Sequence, residues 1–163
     1  MGGIAGIIRR AFRSITPNAT RANGGVYYEW LPTGGAITAA AAKALTAHAT
    51  GNYKFGARAV VLAATANTAE GWAEGILLTN PNGAKQLYAI AVSTGTGAIA
   101  AANDLLGVVE TYVGTATGTS AAGIYLPFEE PVYIPANVAI SLACACQTAA
   151  KTCAAHLKIS RNK

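Results

Sequence analysis

From Val26 onward the chain is cut at short intervals by turn-forming clusters, and this punctuation limits what it can fold into more than any other feature. The clusters are Pro32 with Gly34-Gly35, Asn80-Pro-Asn-Gly83, Gly95-Thr-Gly97, Gly114 to Gly118, and Pro131 to Pro135. Glycine supplies left-handed turn conformations and proline fixes φ and removes an N–H, so each cluster stops a regular element. Between them lie apolar runs too short for most helices. The strand candidates are Val26 to Leu31, Arg58 to Thr65, Ala73 to Thr79, Gln86 to Thr94, Leu106 to Thr115, Gly123 to Phe128, Val138 to Cys146 and Cys153 to Ile159. Ala36 to Ala49 reads either as a short helix, from its Ala and Lys content, or as a weak strand, from its Thr residues. Short strands at this spacing predict an all-β protein, an antiparallel sandwich or barrel.

Two strands carry further information. In Gln86 to Thr94, Leu87, Ala89 and Ala91 alternate with Tyr88, Ile90 and Val92, so both faces are apolar. A strand buried on both sides in a sandwich is expected to face either the core or another subunit. In Val138 to Cys146, Ile140, Leu142, Cys144 and Cys146 form a larger face opposite Ala139, Ser141, Ala143 and Ala145.

Residues 1–25 differ from the rest. They hold Arg9, Arg10, Arg13 and Arg21 and no acid, and so carry four of the five net positive charges. Ile4, Ile8, Phe12 and Ile15 recur at spacings of four, four and three. That is the apolar stripe of an amphipathic helix, with Arg9, Arg10 and Arg13 beside it. Pro17 ends it, and Asn18 to Gly25 reads as a flexible connection. A helix this short is marginal in water and needs a surface to lie on. The expected organisation is therefore an anchoring arm, 1–25, and a β domain, 26–163.

Only 12% of the residues are charged although 52% are hydrophobic, against roughly 25% charged in ordinary globular chains. Few charges leave a free monomer prone to associate, and the deficit costs nothing where identical neighbours cover the surface. Composition leans towards self-assembly. No run approaches the ~18 apolar residues of a membrane-spanning helix. The N-terminus is apolar before it is basic, the reverse of a secretory signal, so none is read.

Chemistry is sparsely represented. There are seven acids and two histidines. Glu129-Glu130 reads as solvated charge in a proline-bounded loop, and a distant carboxylate pair such as Glu74 with Glu110 ranks well behind that reading as a site for hydrolysis. Neither His48 nor His156 lies in a triad-like context. Gly95-Thr-Gly97 and Gly114 to Gly118 have no following Lys or helix of the phosphate-loop kind. Cys144, Cys146 and Cys153 are an odd number and lack paired C-x-x-C spacing, so they read as small buried hydrophobes rather than disulfide or zinc ligands. No catalytic residue, cofactor or metal is expected. Tyr27, Tyr28 and Trp30 follow the arginines and could stack on bases, but the apolar stripe of the arm asks first for a protein partner; nucleic acid and membrane rank behind.

The strand and turn Ile76-Leu-Leu-Thr-Asn80, the run Leu105 to Val113, the segment Ile124-Tyr-Leu-Pro-Phe128 and the entry Val132-Tyr-Ile-Pro-Ala-Asn-Val-Ala-Ile-Ser-Leu142 resemble tailed-phage virion proteins. The resemblance is to the small jelly-roll cement or decoration proteins and their relatives in tail and spike parts. It covers the second half of the chain and consists of turns and apolar positions. Proline at a strand entry, as at Pro135, also suits any β-sandwich. The resemblance implies a jelly-roll body forming dimers or trimers, docked through its arm on a major capsid or other virion protein, in a virion assembled in the host cytoplasm. The arm residues that would make that contact are Ile4, Ile8, Arg9, Arg10, Phe12, Arg13 and Ile15. A second expectation is a receptor- or carbohydrate-binding module at a tail tip, with Trp72, Tyr112 and Tyr125 as exposed loop aromatics. A small hydrolase on a β scaffold is the third.

Overall fold

The computed structural model describes residues 26–39, 55–97, 99, 105–115, 122–148 and 150–162. The arm, with Ile4, Ile8, Arg9, Arg10, Phe12, Arg13 and Ile15, lies outside the described residues, as do His48 and most of Ala36 to Ala49.

The described residues form strands and turns: β1 (Val26–Pro32), β2 (Ile37–Thr38), β3 (Ala59–Leu62), β4 (Gly71–Asn80), β5 (Gln86–Thr94), β6 (Leu105–Val113), β7 (Ala122–Ile134), β8 (Ile140–Cys146) and β9 (Thr152–Asn162). The pairings among them are antiparallel, in two sheets. The first runs β1-β9-β4-β7, with β2 also on β9, and the second runs β3-β8-β5-β6. The pairs are nested: β5 with β6, β4 with β7, β3 with β8, and β1 with β9. Among the described residues there is no helix long and apolar enough to cross a membrane.

One apolar core joins the two sheets. Ile76, Leu78, Leu157 and Ile159 of the first meet Tyr88, Ile90, Val92, Leu142 and Cys144 of the second, all fully buried. Each large aliphatic side chain buried this way stabilises the fold by roughly 1.5–3 kcal/mol. The contrast of faces on β8 is realised, since Ile140, Leu142, Cys144 and Cys146 enter this core. The outer face of β5 is covered within the chain. Leu87, Ala89 and Ala145 make a second cluster on which Phe55 and Val108 pack. Small alanines leave room there, and Gly56 N–H donates to the Cys144 carbonyl (2.9 Å), which holds Phe55 beside the sheet.

Turn chemistry matches the punctuation in two places. Asn80 accepts from Asn82 N–H (2.9 Å) through its own side chain and donates to the Ala84 and Gly114 carbonyls (3.0 and 2.8 Å), closing the β4–β5 turn. After β5, Gly95 and Gly97 take positive φ, 87° and 79°. Arg58 clamps that turn by donating to the carbonyls of Thr94, Thr96 and Gly97.

The structure corrects the reading of Pro131 to Pro135 as a turn and of Glu129-Glu130 as a loop. Strand β7 continues through Pro131 to Ile134. It tolerates Pro127 and Pro131 because it is an edge strand, where a missing N–H breaks no ladder. Its register against β4 jumps from Gly75↔Pro127 to Ala73↔Val132, so Phe128 to Pro131 bulge opposite Glu74. Phe128 turns inward and Glu129 and Glu130 stay exposed.

Candidate functional site: an aromatic face on the first sheet

The pairing register brings three rows of side chains onto the outer side of the first sheet, opposite Ala73, Ile76, Leu157 and Ile159. One row is Tyr28, Ser160, Trp72 and Tyr133; the next is Trp30, Lys158, Gly75 and Pro127; the third is Pro32, His156, Leu77 and Tyr125. Both tryptophans of the chain are here. Four of the rings are substantially open: Tyr28 37%, Trp30 46%, Tyr125 39% and Tyr133 45% exposed. Monomers seldom leave a patch of this kind uncovered.

The rings are ordered against one another. Trp30 and Tyr125 meet edge to face at 5.7 Å, and Trp72 and Tyr133 do so at 5.6 Å. The Lys158 ammonium sits 4.9 Å from the Tyr28 ring centre, 5.5 Å from Trp30 and 5.6 Å from Tyr125. Such contacts are favourable by ~0.5–1 kcal/mol each at exposed sites. Trp30 and Tyr125 belong to β1 and β7, three strand spacings or ~14 Å apart. They meet because β4 carries glycine between them. A Cβ at Gly75 would lie 2.6 Å from the Tyr125 phenol oxygen and 2.6 Å from the Leu126 carbonyl. Tyr125 therefore lies down across β4 in the space a side chain would fill. Burial there, with the Glu74 carboxylate and Tyr28 nearby, pushes its phenol pKa up. Ser160 donates to Glu74, and the Tyr133 hydroxyl donates to Glu70 (2.9 Å).

Chemically this is a preorganised apolar ring surface with one cation at its centre and two carboxylates at its margin. Tyr and Trp present large, stiff contact area at little entropic cost, which is why they dominate binding hot spots. The three aromatics expected on the loops of a binding tip divide accordingly. Trp72 and Tyr125 belong to the face but lie on β4 and β7 rather than on loops. Tyr112, 52% exposed, lies on β6 in the other sheet beneath Lys85 (4.7 Å). Tyr28, Trp30, Tyr133 and Lys158 join the face through register alone; the alternation of Tyr28 with Trp30 is the one local signal of it. Glu74 and Glu110 are not brought together. Glu74 borders the outer side of the first sheet, while Glu110 pairs with Ala89 on the second.

No protein family, curated protein or solved structure matches the chain.

The three cysteines converge inside the core and all are free and buried. Among the described residues no group of three or more His, Cys, Asp or Glu is placed to hold a metal ion. A hydrogen bond with Cys153, together with burial, drives the Cys144 thiol pKa strongly upward, and burial raises that of Cys146. Burial and the neighbouring thiols raise the Tyr88 phenol in the same way. Its hydroxyl bonds Asn80 (3.0 Å), Asn82 (2.7 Å) and the Thr152 carbonyl (2.8 Å). These groups are held neutral, so the folded state retains protons that the unfolded chain releases. Their contribution is complete below the ordinary thiol and phenol values of 9.0 and 10.0 and is lost as pH rises beyond them. Melting temperature is expected to fall progressively above pH 9 and to do so less in Tyr88→Phe; thermal melts from pH 7 to 11 check this.

Proposed function

We propose that this protein is a structural subunit of a virion, of the cement or decoration kind, with a jelly-roll body that self-associates and an arm, residues 1–25, that docks on a capsid or neighbouring subunit. The observation that carries the reading is the aromatic face, an ordered patch of Trp and Tyr on a chain only 12% charged. Support for the jelly roll comes from the nested pairing. With β2 set aside, eight strands pair first with last and inward, as in one long hairpin rolled into two sheets. Fold alone does not assign function, because jelly rolls occur in capsid and lectin domains alike.

The mechanism is burial of area. Ile4, Ile8, Phe12 and Ile15 supply apolar contact, and Arg9, Arg10 and Arg13 meet acidic groups on the partner, orienting the arm more than tightening it. Ile8→Asp combined with Phe12→Asp is expected to leave the body folded and its oligomer unchanged, by melting temperature and light scattering, while abolishing association of the full-length protein into larger particles. Loss of folding in that variant would count against an arm separate from the core.

A second reading, a glycan- or receptor-binding module at a tail tip, is favoured by the placement of Trp72 and Tyr125 on one face. Pyranose rings stack on aromatic planes, and a glycan array tests it directly.

A further inference from the structure

We propose that β1 is a dimerisation edge, pairing antiparallel with β1 of a second copy about a twofold axis at Tyr28. This rests on the reading that the body self-associates, and it names the surface through which it does so.

The four sheet edges are not alike. An edge strand presents unpaired N–H and C=O groups, and proteins that stay apart blunt it with proline, charge, bulges or short length. Strand β7 has Pro127 and Pro131, a bulge, and exposed Glu129 and Glu130. Strand β3 is four residues long and its register shifts between Val60 and Leu62. Strand β6 is shielded by β7, whose Val132 and Phe128 would lie 3.0 and 3.4 Å from a Cβ at Gly107. Strand β1 carries a single charge, Glu29, and none of the other devices before its last residue, Pro32. Its seven residues pair with β9 without a register shift, and among the described residues no strand lies on its other side. Glu29 and Leu31 face inward yet are only partly buried, while Ile159 and Leu157 opposite them on β9 are fully buried. Solvent therefore reaches the sandwich from the β1 side.

Symmetry and chemistry fix the register. Two copies of one edge meet isologously, so the same strand serves both partners. With the twofold perpendicular to the sheet, outward residues face outward residues and the axis passes through a residue of β1. At Glu29 it would set two carboxylates directly opposite, which is destabilising. At Trp30 it would bring Pro32, which has no N–H, into the new ladder. Axes nearer the strand ends pair three positions or fewer. At Tyr28 the axis pairs residues 26–30, with Trp30 across from Val26 and Glu29 across from Tyr27. The product is one sheet with β7-β4-β9-β1 from each copy, and the twofold keeps the outer side outward in both. Tyr28, Trp30, Tyr125 and Tyr133 of the two copies then share one continuous face. A second copy is favoured over a foreign peptide because one chain supplies both edges. With 12% of its residues charged, the chain also has little of the repulsion that keeps copies apart.

The test uses full-length variants. Wild type is expected to be a dimer by light scattering. Tyr28→Asp, which opposes two like charges at the axis, is expected to be a monomer with an unchanged melting temperature. As an independent variant, Tyr28→Cys treated with diamide is expected to give a disulfide-linked dimer on a non-reducing gel. Trp30→Cys is the register control: the two sulfurs would stand ~14 Å apart, four strand residues from the opposing position, and no cross-link is expected. The native cysteines are buried and free, so wild type sets the background. If both Tyr28 variants keep the wild-type oligomer and Tyr28→Cys does not cross-link, the copies meet elsewhere; this proposal falls while the self-association reading stands. Cross-linking through Trp30→Cys in place of Tyr28→Cys would overturn the register, and a trimeric wild type would overturn the twofold. A monomeric wild type would remove both readings.

Discussion

Asn67→Ala is expected to lower unfolding free energy by about 3–5 kcal/mol. Asn67 is fully buried in the connection between β3 and β4. Its amide donates to the carbonyls of Pro135 (2.8 Å) and Val138 (2.9 Å), and its carbonyl oxygen accepts from Arg161 (2.9 Å). Its own main-chain carbonyl accepts from Asn137 N–H (2.7 Å). Arg161, 5% exposed, also donates to the Ala69 carbonyl, while its Nε finds no hydrogen-bond partner among the described residues. Alanine would strand two carbonyls and leave a buried guanidinium with less support. Urea denaturation of Asn67→Ala, Arg161→Met and the double variant measures the coupling, which contact between the two residues makes non-additive. A loss under ~1 kcal/mol for Asn67→Ala would mean the latch is dispensable.

Gly75→Ala is expected to cost about 2–3 kcal/mol and to disrupt the aromatic face. The new methyl would meet the Leu126 carbonyl, which is fixed in the β4–β7 ladder, and the Tyr125 phenol, which would have to leave. Trp30 would lose its edge contact with Tyr125, so its fluorescence should change along with stability. Gly83→Ala is the control. Nothing lies within 4 Å of a Cβ there, and a surface change of this kind moves stability by no more than ~0.5 kcal/mol. Equal effects at the two positions would show that Gly75 is not the space-making residue.

Several elements are legible in the sequence because their signals are local. Gln86 to Thr94 is bounded by Asn80-Pro-Asn-Gly83 and Gly95-Thr-Gly97, and β5 has those ends. Its doubly apolar pattern requires cover on both sides, and the cover comes from Phe55 and Val108 within the chain. Strand β7 is longer than its prolines suggest, because proline breaks most strands and only a place at the sheet edge makes it harmless. The candidate face is largely illegible. Tyr28, Trp72 and Tyr133 become neighbours through the register of four strands from distant parts of the chain. Asn67 is silent for a similar reason, since its side-chain partners lie 68 to 94 positions away.

The position of β9 has a consequence for how the molecule comes into being. Strand β9, which follows all the others along the described residues, is laid between β1 and β4, and Val26 pairs with Asn162. Until it arrives, the first sheet has a missing centre, and β1 and β4 each wait with an open edge. Closing contacts so distant along the chain is slow, and all-β chains of this kind fold in milliseconds to seconds. During that interval Val26-Tyr-Tyr-Glu-Trp-Leu31 is a β-prone, nearly uncharged segment with no partner strand, the kind of species that aggregates. Lys158 and Ser160 arrive with the same strand, so the ring surface forms only once β9 is in place. Maturation is thereby timed by topology: a chain that has reached only β8 has no finished face to offer a neighbour.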